Sequence, residues 1–195
     1  MLASQMTRRL FLSRTFEGAV DTILDDVIAP LGAEYGNVQL SIGEELVIAA
    51  QRGLSADFLK TFRRVRKDDG SACGRALRLG EPVIVRDVEN DPEFAAFRPD
   101  AKKAGFRSVQ STPFFTKDGA VLGMVSTHFA HAHEPTTIEM QTLKAYSVIA
   151  AEHLNNLLGD VPLATKAKQM SEELYTRTLG QRASAAEPRS LGIST

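Results

Sequence analysis

The sequence predicts an α+β fold built around an antiparallel sheet. Segments 36–52 and 107–129 each place two apolar-rich strands on either side of a short turn, which is the pattern of a β-hairpin. Segments 15–31 and 136–158 instead carry apolar residues at three- and four-residue steps, which is typical of amphipathic helices. Because hairpins pair their strands antiparallel, helices from the two ends of the chain can cover one face of the sheet.

The first helix and the first hairpin have clear boundaries. The helix over 15–31 is followed by Gly32, a residue suited to end it. Its apolar stripe consists of Phe16, Val20, Ile23, Val27 and Leu31. In the hairpin, strands over 38–42 and 46–50 flank a turn at 43–45.

Short elements link the two hairpins. They are a helix over 56–65 capped by Ser55, a loop over 67–70, a helix over 72–79 between Ser71 and Gly80, a strand over 82–85 and a helix start at Asp91-Pro92. Serine and aspartate suit these positions because their side chains accept hydrogen bonds from the first turn of a helix.

The sequence of the second hairpin also predicts the register of its two strands. A two-residue turn at Asp118-Gly119 pairs Lys117 with Ala120, and that pairing fixes every other pair. The resulting pairs are Val109 with His128, Gln110 with Thr127, Ser111 with Ser126, and Thr112 with Val125. Each face of this hairpin therefore carries polar residues at the end far from the turn.

The C-terminal part predicts two helices and a tail. After the helix over 136–158, Val161-Pro162 breaks the chain, and a helical pattern follows over 163–179. The residues from about 181 are small and polar without periodicity, which predicts disorder. The expected organisation is an N-terminal extension (1–14), one domain (15–158), a connector helix (159–180) and a disordered tail (181–195).

Composition excludes several classes of protein. The net charge of −1 creates no field that would attract nucleic acid or an acidic membrane. Cys73 is the only cysteine, so the chain has no internal disulfide, and a reducing cytoplasm fits best. The segment 7–12 is similar to a twin-arginine export motif, but acidic residues interrupt the apolar stretch that export requires. No apolar run approaches the roughly 20 residues of a membrane-spanning helix.

Four segments of the chain resemble the GAF domain family. They are 36–40, 69–76, 83–92, and 105–113 closed by 122–129. The resemblance covers residues 15–158 and is closest to the GAF sensory domains of bacterial signalling histidine kinases. It implies a profilin-like, six-stranded antiparallel sheet with helices on both faces. It also implies a small-molecule pocket on one face and a dimerising helical layer on the other.

Polar residues of the second hairpin are candidate ligand-binding residues. Gln110 and Thr112 lie on a strand otherwise suited to a core, and buried polar side chains need partners. We expect them to meet Phe94 and Arg107 in a pocket between the sheet and segment 91–106. Cys73 and Thr127 complete the candidate set. Ordinary cross-strand hydrogen bonds or water remain the alternative, and the ligand or cofactor stays unknown.

Cys73 has two interpretations. At the first turn of a helix a thiol can be activated, but a free cysteine is also a common small core residue. A thiol-dependent reductase needs a resolving thiol, which this chain lacks. The sequence therefore favours a protein that is not an enzyme, with a Cys73-dependent redox enzyme as the lesser alternative.

A cluster of histidines does not predict a metal site. His128, His131 and His133 precede Glu134, but alternation along a strand separates the first from the other two, and the cluster continues into a loop. We therefore expect no bound metal.

The resemblance to the GAF family implies a sensory domain in signal transduction, such as a two-component system. We expect a homodimer through helices 15–31 and 136–158, and a histidine kinase or another signalling protein as partner. On the second helix, one apolar row consists of Leu143, Tyr146, Ala150, Leu154 and Leu157, and another of Ile138, Ala145 and Ile149. A further row, Leu163, Ala167, Met170 and Leu174, would form the seam of a parallel helix pair.

Two alternatives stay open. The second apolar row can instead pack on residues 1–14, which gives a monomer. The domain can also be a dimerisation or scaffold module without a ligand. Whether the chain is complete or part of a longer signalling protein is open as well.

Overall fold

The computed structural model describes residues 2–186, with side chains described over residues 6–178. Its helices are α1 (Leu2–Leu12), α2 (Phe16–Leu31), α3 (Ala56–Thr61), α4 (Ala72–Leu79), α5 (Arg98–Ala104), α6 (Thr137–Leu158) and α7 (Leu163–Ala186), with a 3-10 turn over Ala95–Phe97. Its strands are β1 (Tyr35–Ile42), β2 (Glu45–Arg52), β3 (Val65–Arg66), β4 (Val83–Val85), β5 (Ser108–Phe115) and β6 (Val121–Phe129).

The strands form one six-stranded sheet in the order β3-β2-β1-β6-β5-β4, with antiparallel pairing throughout. This arrangement confirms the predicted α+β class and the sheet that the family resemblance implied. Both hairpins lie at the centre of the sheet, so the long β1–β6 pairing connects the two halves of the chain.

The register of the second hairpin was predicted correctly, although its turn was not. Gln110 pairs with Thr127 and Ser111 with Ser126, as expected. The turn is one residue longer, because Thr116 rather than Lys117 pairs with Ala120. A bulge near Phe115, where the register shifts by one residue, compensates for the longer turn.

The pleat of the sheet separates two sets of side chains. Asn37 and Gln39 of β1 point to one side, which we call the cavity face, and Val38 and Leu40 point to the other, which we call the helical face. Helices α1, α2 and α6 pack over the helical face, whereas α3, α4 and α5 cover the cavity face. Each face has its own hydrophobic core.

Most helix starts lie where the sequence predicts them, but two predicted helix boundaries differ from the structure. Ser55, Ser71 and Thr136 cap α3, α4 and α6 through their side chains, as such residues do. The helix predicted over 56–65 ends at Thr61, because Val65 is buried as the edge strand beside β2. At the predicted helix start, Asp91 does accept a hydrogen bond from the Phe94 backbone N–H (3.0 Å), but α5 begins only at Arg98.

Residues 1–14 were predicted to be an extension outside the domain, with packing on the second long helix as the alternative, and the described part of the segment follows the alternative. Residues 2–12 form α1, which packs against α2 and α6 and buries Met6 and Leu10. Arg9 forms an ion pair with the buried Asp26 of α2 (2.9 Å). The N-terminal segment is therefore part of the domain.

Helix α7 also belongs to the domain. Ala167, Met170 and Leu174, the row predicted to form the seam of a helix pair, are buried against the chain's own β1 and β2. Lys166 pairs with Glu17 of α2 (2.7 Å). The seam is therefore already occupied within this chain.

The end of α7 corrects the prediction for the tail. Residues 181–186 were predicted to be disordered but continue the helix, while 187–195 lie outside the described residues. None of the described helices is long and apolar enough to span a membrane.

Helix α6 uses its first predicted row inside the domain. Leu143, Tyr146, Ala150 and Leu154 are all buried against the chain's own core. Of the second row, Ile138 and Ala145 are exposed. Ile149, the third residue of that row, is partly buried against the same core.

Candidate functional site

A small cavity lies between the cavity face of the sheet and the short helices that cover it. All of its lining residues are buried. They are Asn37, Gln39, Phe58, Phe62, Ser71, Ala72, Cys73, Phe94, Phe106, Val109 and His128. The walls thus combine four phenylalanine rings with a few polar side chains, which is the composition of a small-molecule site.

The cavity is nearly filled. Its volume is about 10 Å³, which is room for about one water molecule. Any larger occupant therefore requires the cover of the cavity to move.

Three polar atoms in the wall of the cavity have no hydrogen-bond partner among the described residues. They are Asn37 Oδ1, Gln39 Oε1 and His128 Nδ1. Their residues are only 1%, 1% and 2% exposed, respectively, so bulk water does not serve as the partner. A buried polar group without a partner costs about 1–3 kcal/mol. Three such groups line this one cavity, which makes it a candidate site for a partner that the described residues do not supply.

His128 is neutral at physiological pH. Burial lowers the pKa of its imidazole to about 3, although a hydrogen bond with the Tyr35 backbone acts in the opposite direction. The ring packs edge-on against Phe106 and Phe58, with centroid distances of 4.7 and 5.5 Å. His128 therefore presents a neutral nitrogen inside an aromatic wall.

Cys73 is a buried thiol held by two serines. Its Sγ lies 3.4 Å from Ser111 Oγ and 3.3 Å from Ser126 Oγ, and the two hydroxyls are 2.8 Å apart. Burial raises the pKa of the thiol, which outweighs the hydrogen bonds from the serines. Because the thiolate is the reactive form, this environment makes Cys73 a poor nucleophile.

Residues 91–106, which we call the lid segment, cover the cavity and contribute Phe94 and Phe106 to its wall. The guanidinium of Arg75 on α4 donates to both oxygens of Asp91 (2.9 and 3.0 Å). Burial opposes ionisation of Asp91, but the hydrogen bonds, foremost that from Arg75, outweigh it and lower the pKa of this carboxyl. Arg98 donates to the carbonyls of Val88 and Asp91, and these hydrogen bonds connect the middle of the lid segment to its start and to the residues before it.

Gly70 allows the lid segment to approach α4 closely. Its φ is +79°, and a Cβ at this position would lie 2.7 Å from the carbonyl oxygen of Glu93. A side chain would therefore both strain the backbone and push the lid segment outward.

The predicted ligand residues are not brought together. Phe94 and Cys73 line the cavity, but Gln110, Thr112 and Thr127 lie on the opposite, helical face. The predicted grouping of Phe94, Arg107, Gln110 and Thr112 around one pocket is therefore wrong. Side chains alternate between the two faces along a strand, and in β5 the odd-numbered residues face the cavity. Gln110 and Thr112 are even-numbered and therefore point to the helical face.

The four predicted ligand residues that do not line the cavity make other contacts or none. Gln110 donates to the Met140 sulfur of α6 (3.4 Å), and the hydroxyls of Thr112 and Thr127 are buried without partners among the described residues. Arg107 is half exposed and forms an ion pair with Asp87 instead of facing the cavity.

Asn37 and Gln39 line the cavity but were not among the predicted ligand-binding residues, although the sequence contained a signal for them. In β1 the polar residues Asn37, Gln39 and Ser41 alternate strictly with apolar ones, and all three are buried. The predicted register already placed Ser111 opposite Ser126 on that same face. Combining the two strands would have located the polar patch that Cys73 contacts.

The histidine-rich segment does not assemble as a metal centre in the part of the chain that the structure describes. His133 stacks on Phe129 with a centroid distance of 3.9 Å, and Glu134 pairs with Arg86. His128 is buried among the rings of the cavity, away from both.

Comparison with known proteins agrees with this architecture. The model of the GAF domain matches residues 13–155, which is most of the chain. No curated protein matches the chain.

Solved structures share the fold at low sequence identity. A GAF domain from a Coxiella burnetii phosphoenolpyruvate-protein phosphotransferase is 16% identical, with a TM-score of 0.69 over 80% of this chain and 91% of that one. A domain of a Sinorhizobium meliloti two-component sensor histidine kinase is 16% identical, with a TM-score of 0.60 over 76% and 96%. Free methionine-R-sulfoxide reductase from Neisseria meningitidis, solved with its substrate, is 19% identical, with a TM-score of 0.61 over 86% and 89%.

Proposed function

Because the chain belongs to the GAF domain family of sensory and regulatory domains, we propose that it binds a small, uncharged, polar molecule in the cavity beneath the lid segment and reports this to a partner protein. The observation that carries the proposal is the set of unpaired atoms on Asn37, Gln39 and His128 around one cavity. A ligand that hydrogen-bonds to them would recover the cost of burying them.

The lining of the cavity limits the chemistry of the ligand. None of its residues carries a charge at neutral pH, since His128 is neutral and Cys73 is a thiol. A charged ligand would be buried there without a counter-ion, which is very unfavourable. Four phenylalanine rings favour a planar ligand, and the unpaired atoms favour one with N–H or O–H donors.

Entry of such a ligand requires the lid segment to move. Phe94 belongs to that segment and fills part of the cavity, so lid movement and cavity volume are coupled. The Arg75–Asp91 contact opposes the movement, and a ligand stabilises the open state only by its difference in affinity for the two states.

We propose a cytoplasmic, non-enzymatic homodimer that acts on a histidine kinase or another signalling protein. The buried, poorly nucleophilic Cys73 supports a role other than redox catalysis.

A second candidate function is a scaffold or dimerisation domain that binds no ligand. The volume of about 10 Å³ favours it, because a pocket already filled by side chains has nothing to exchange. The two candidate functions differ in whether a ligand forms hydrogen bonds with the polar residues that line the cavity.

Native mass spectrometry of the full chain purified from its source tests the proposal. We expect a bound small molecule on the wild type that is lost in Gln39→Met, which removes one unpaired atom at similar volume. Thr127→Val is the matched control, because it removes a buried unpaired hydroxyl on the opposite face. A wild-type chain without bound molecule, or equal loading of wild type and Gln39→Met, would contradict ligand binding in this cavity.

A further inference from the structure

We infer that the outer face of α1 docks on an anionic lipid surface. This docking surface goes beyond the proposed function and is independent of whether the cavity binds a ligand. Two observations carry it, namely large apolar side chains exposed at the end of α1 and arginines beside them that have no acidic partner.

Helix α1 carries apolar residues on two opposite sides. Met6 and Leu10 are buried on the side that packs against α2 and α6. Phe11 and Leu12 lie on the other side and are 50% and 66% exposed, respectively. A helix with apolar residues on both sides has room for two partners, and α2 and α6 occupy only one side.

Arginines border the exposed apolar residues of α1. Arg8 is exposed and lies three residues before Phe11 and four before Leu12, so these three residues share the outer face of the helix. Arg14, which follows the end of the helix, is also exposed. We call Arg8, Phe11, Leu12 and Arg14 the basic apolar patch.

The charges of Arg8 and Arg14 are not neutralised by ion pairs with the described residues. Residues 1–16 contain three arginines and no acidic residue, and the acidic residues of the neighbouring α2 are already paired with other cations. Those pairs are Glu17 with Lys166, Asp21 and Asp25 with Arg52, and Asp26 with Arg9. The net charge of −1 for the whole chain, from which no attraction to an acidic membrane was expected, therefore conceals a positive surface around α1.

An anionic bilayer matches both properties of the basic apolar patch. Its phosphate groups pair with arginine, and its interface accepts large apolar side chains from a helix that lies in its plane. Because α1 packs over α2 and α6, its outer face lies on the outside of the helical layer, where a flat surface can reach it. A second copy fits less well, since a two-fold contact through this face brings Arg8 and Arg14 of both copies together.

Flotation of the full chain with lipid vesicles tests the inference. We expect the wild type to bind vesicles made of equal parts of phosphatidylglycerol and phosphatidylcholine. Vesicles of phosphatidylcholine alone should leave it unbound. Bound protein should be released at about 1 M NaCl, because the Debye length falls to about 3 Å there.

Two double variants of matched composition locate the binding surface. Arg8→Gln/Leu12→Gln should weaken binding to the anionic vesicles by about fivefold for the arginine alone, and further for the leucine. Arg78→Gln/Leu79→Gln removes the same residue types from α4, on the cavity side of the sheet, where Leu79 is 57% exposed. This control should bind like the wild type. Circular dichroism establishes that both variants are folded.

A fluorescent reporter tests insertion without removing the patch. The chain contains no tryptophan, so Phe11→Trp introduces a single one. Its emission should shift to shorter wavelength with the anionic vesicles, and brominated lipid should quench it. Leu79→Trp should show neither effect. An unshifted Phe11→Trp would overturn the proposal even where Arg8→Gln/Leu12→Gln does not fold.

The remaining contrary outcomes are equally distinct. A wild type that does not bind anionic vesicles, that binds neutral vesicles equally well, or whose two double variants lose binding to the same extent would overturn the docking surface. A dimer in light scattering that only Arg8→Gln/Leu12→Gln dissociates, without vesicle binding, would assign this face to a second copy instead. None of these outcomes bears on ligand binding in the cavity, which mass spectrometry tests separately.

Discussion

The two faces of the sheet bury polar groups in different ways. On the helical face, the carboxylate of Asp26 receives an ion pair from Arg9 and a hydrogen bond from Tyr146, each at 2.9 Å. On the cavity face, Asn37 and Gln39 retain an acceptor without a partner. The first group connects three helices of the same chain, whereas the second surrounds a cavity. The difference indicates that Asp26 has its partners within one chain, whereas the acceptors around the cavity do not.

The largest expected effect comes from breaking the contact that holds the lid segment. Arg75→Met leaves the Asp91 carboxylate, whose side chain is only 20% exposed, without its partner. Removing one member of a buried ion pair costs about 3–5 kcal/mol of unfolding free energy. Urea denaturation measures the loss, and hydrogen exchange should show the fastest gain over residues 91–106.

Arg78→Met is the control for that variant. Arg78 pairs with Glu93 at the surface, where such pairs contribute about 0–1 kcal/mol. Equal destabilisation by the two variants would mean that the lid segment is not held by Arg75.

Removing a single polar group should lower stability on the helical face and raise it on the cavity face. Tyr146→Phe removes a hydrogen bond from the buried Asp26 and should destabilise the domain by about 1–3 kcal/mol. Chemical denaturation of the variant beside the wild type measures this. An unchanged midpoint would show that the Asp26 cluster contributes nothing to the helical layer.

Gln39→Met should instead raise stability by about 1 kcal/mol, because it removes the unpaired buried carbonyl oxygen of Gln39 and leaves an apolar side chain of similar size. The gain in stability should accompany a loss of ligand binding, as is common where function maintains a local cost. A destabilised Gln39→Met would mean that the amide already has a partner in the folded chain.

The smallest effect concerns pH. Burial raises the pKa of Asp26 in the folded state, and the contacts from Tyr146 and Arg9 only partly offset it. A raised folded pKa contributes stability below the unfolded value of about 4, and this contribution is lost as pH rises through the folded value. Relative to Asp26→Asn, the wild type should therefore lose unfolding free energy as pH rises above about 4. A difference between the two proteins that is constant from pH 3 to 7 would contradict this.

Local sequence signals determined most elements but not which face they serve. The caps at Ser55 and Ser71 and the pairing of Gln110 with Thr127 were predicted correctly, because they depend on neighbouring residues or on a single turn. The face toward which Gln110 points depends on which helices pack on each side, and that is a tertiary property. An error of one residue in parity moves a whole set of side chains to the other face.

The terminal helices were misjudged for a related reason. Apolar and polar residues are mixed in Leu2–Leu12, and the burial of Met6 and Leu10 depends on contacts of α1 with α2 and α6 that the sequence does not reveal. The row on α7 was recognised, but its partner was taken to be a second chain when it is β1 and β2. A periodic stripe predicts burial without naming the surface that buries it.

Ligand binding by the unpaired atoms of the cavity can be measured by thermal unfolding in the presence of fractionated, protein-free metabolite extract from the source organism. A ligand that binds only the folded chain raises stability by about 2.7 kcal/mol at 100 times its Kd. We expect one or more fractions to raise the Tm of the wild type and of Thr127→Val but not of Gln39→Met. If no fraction shifts the wild type, or if Gln39→Met shifts equally, the cavity is part of the core and not a binding site.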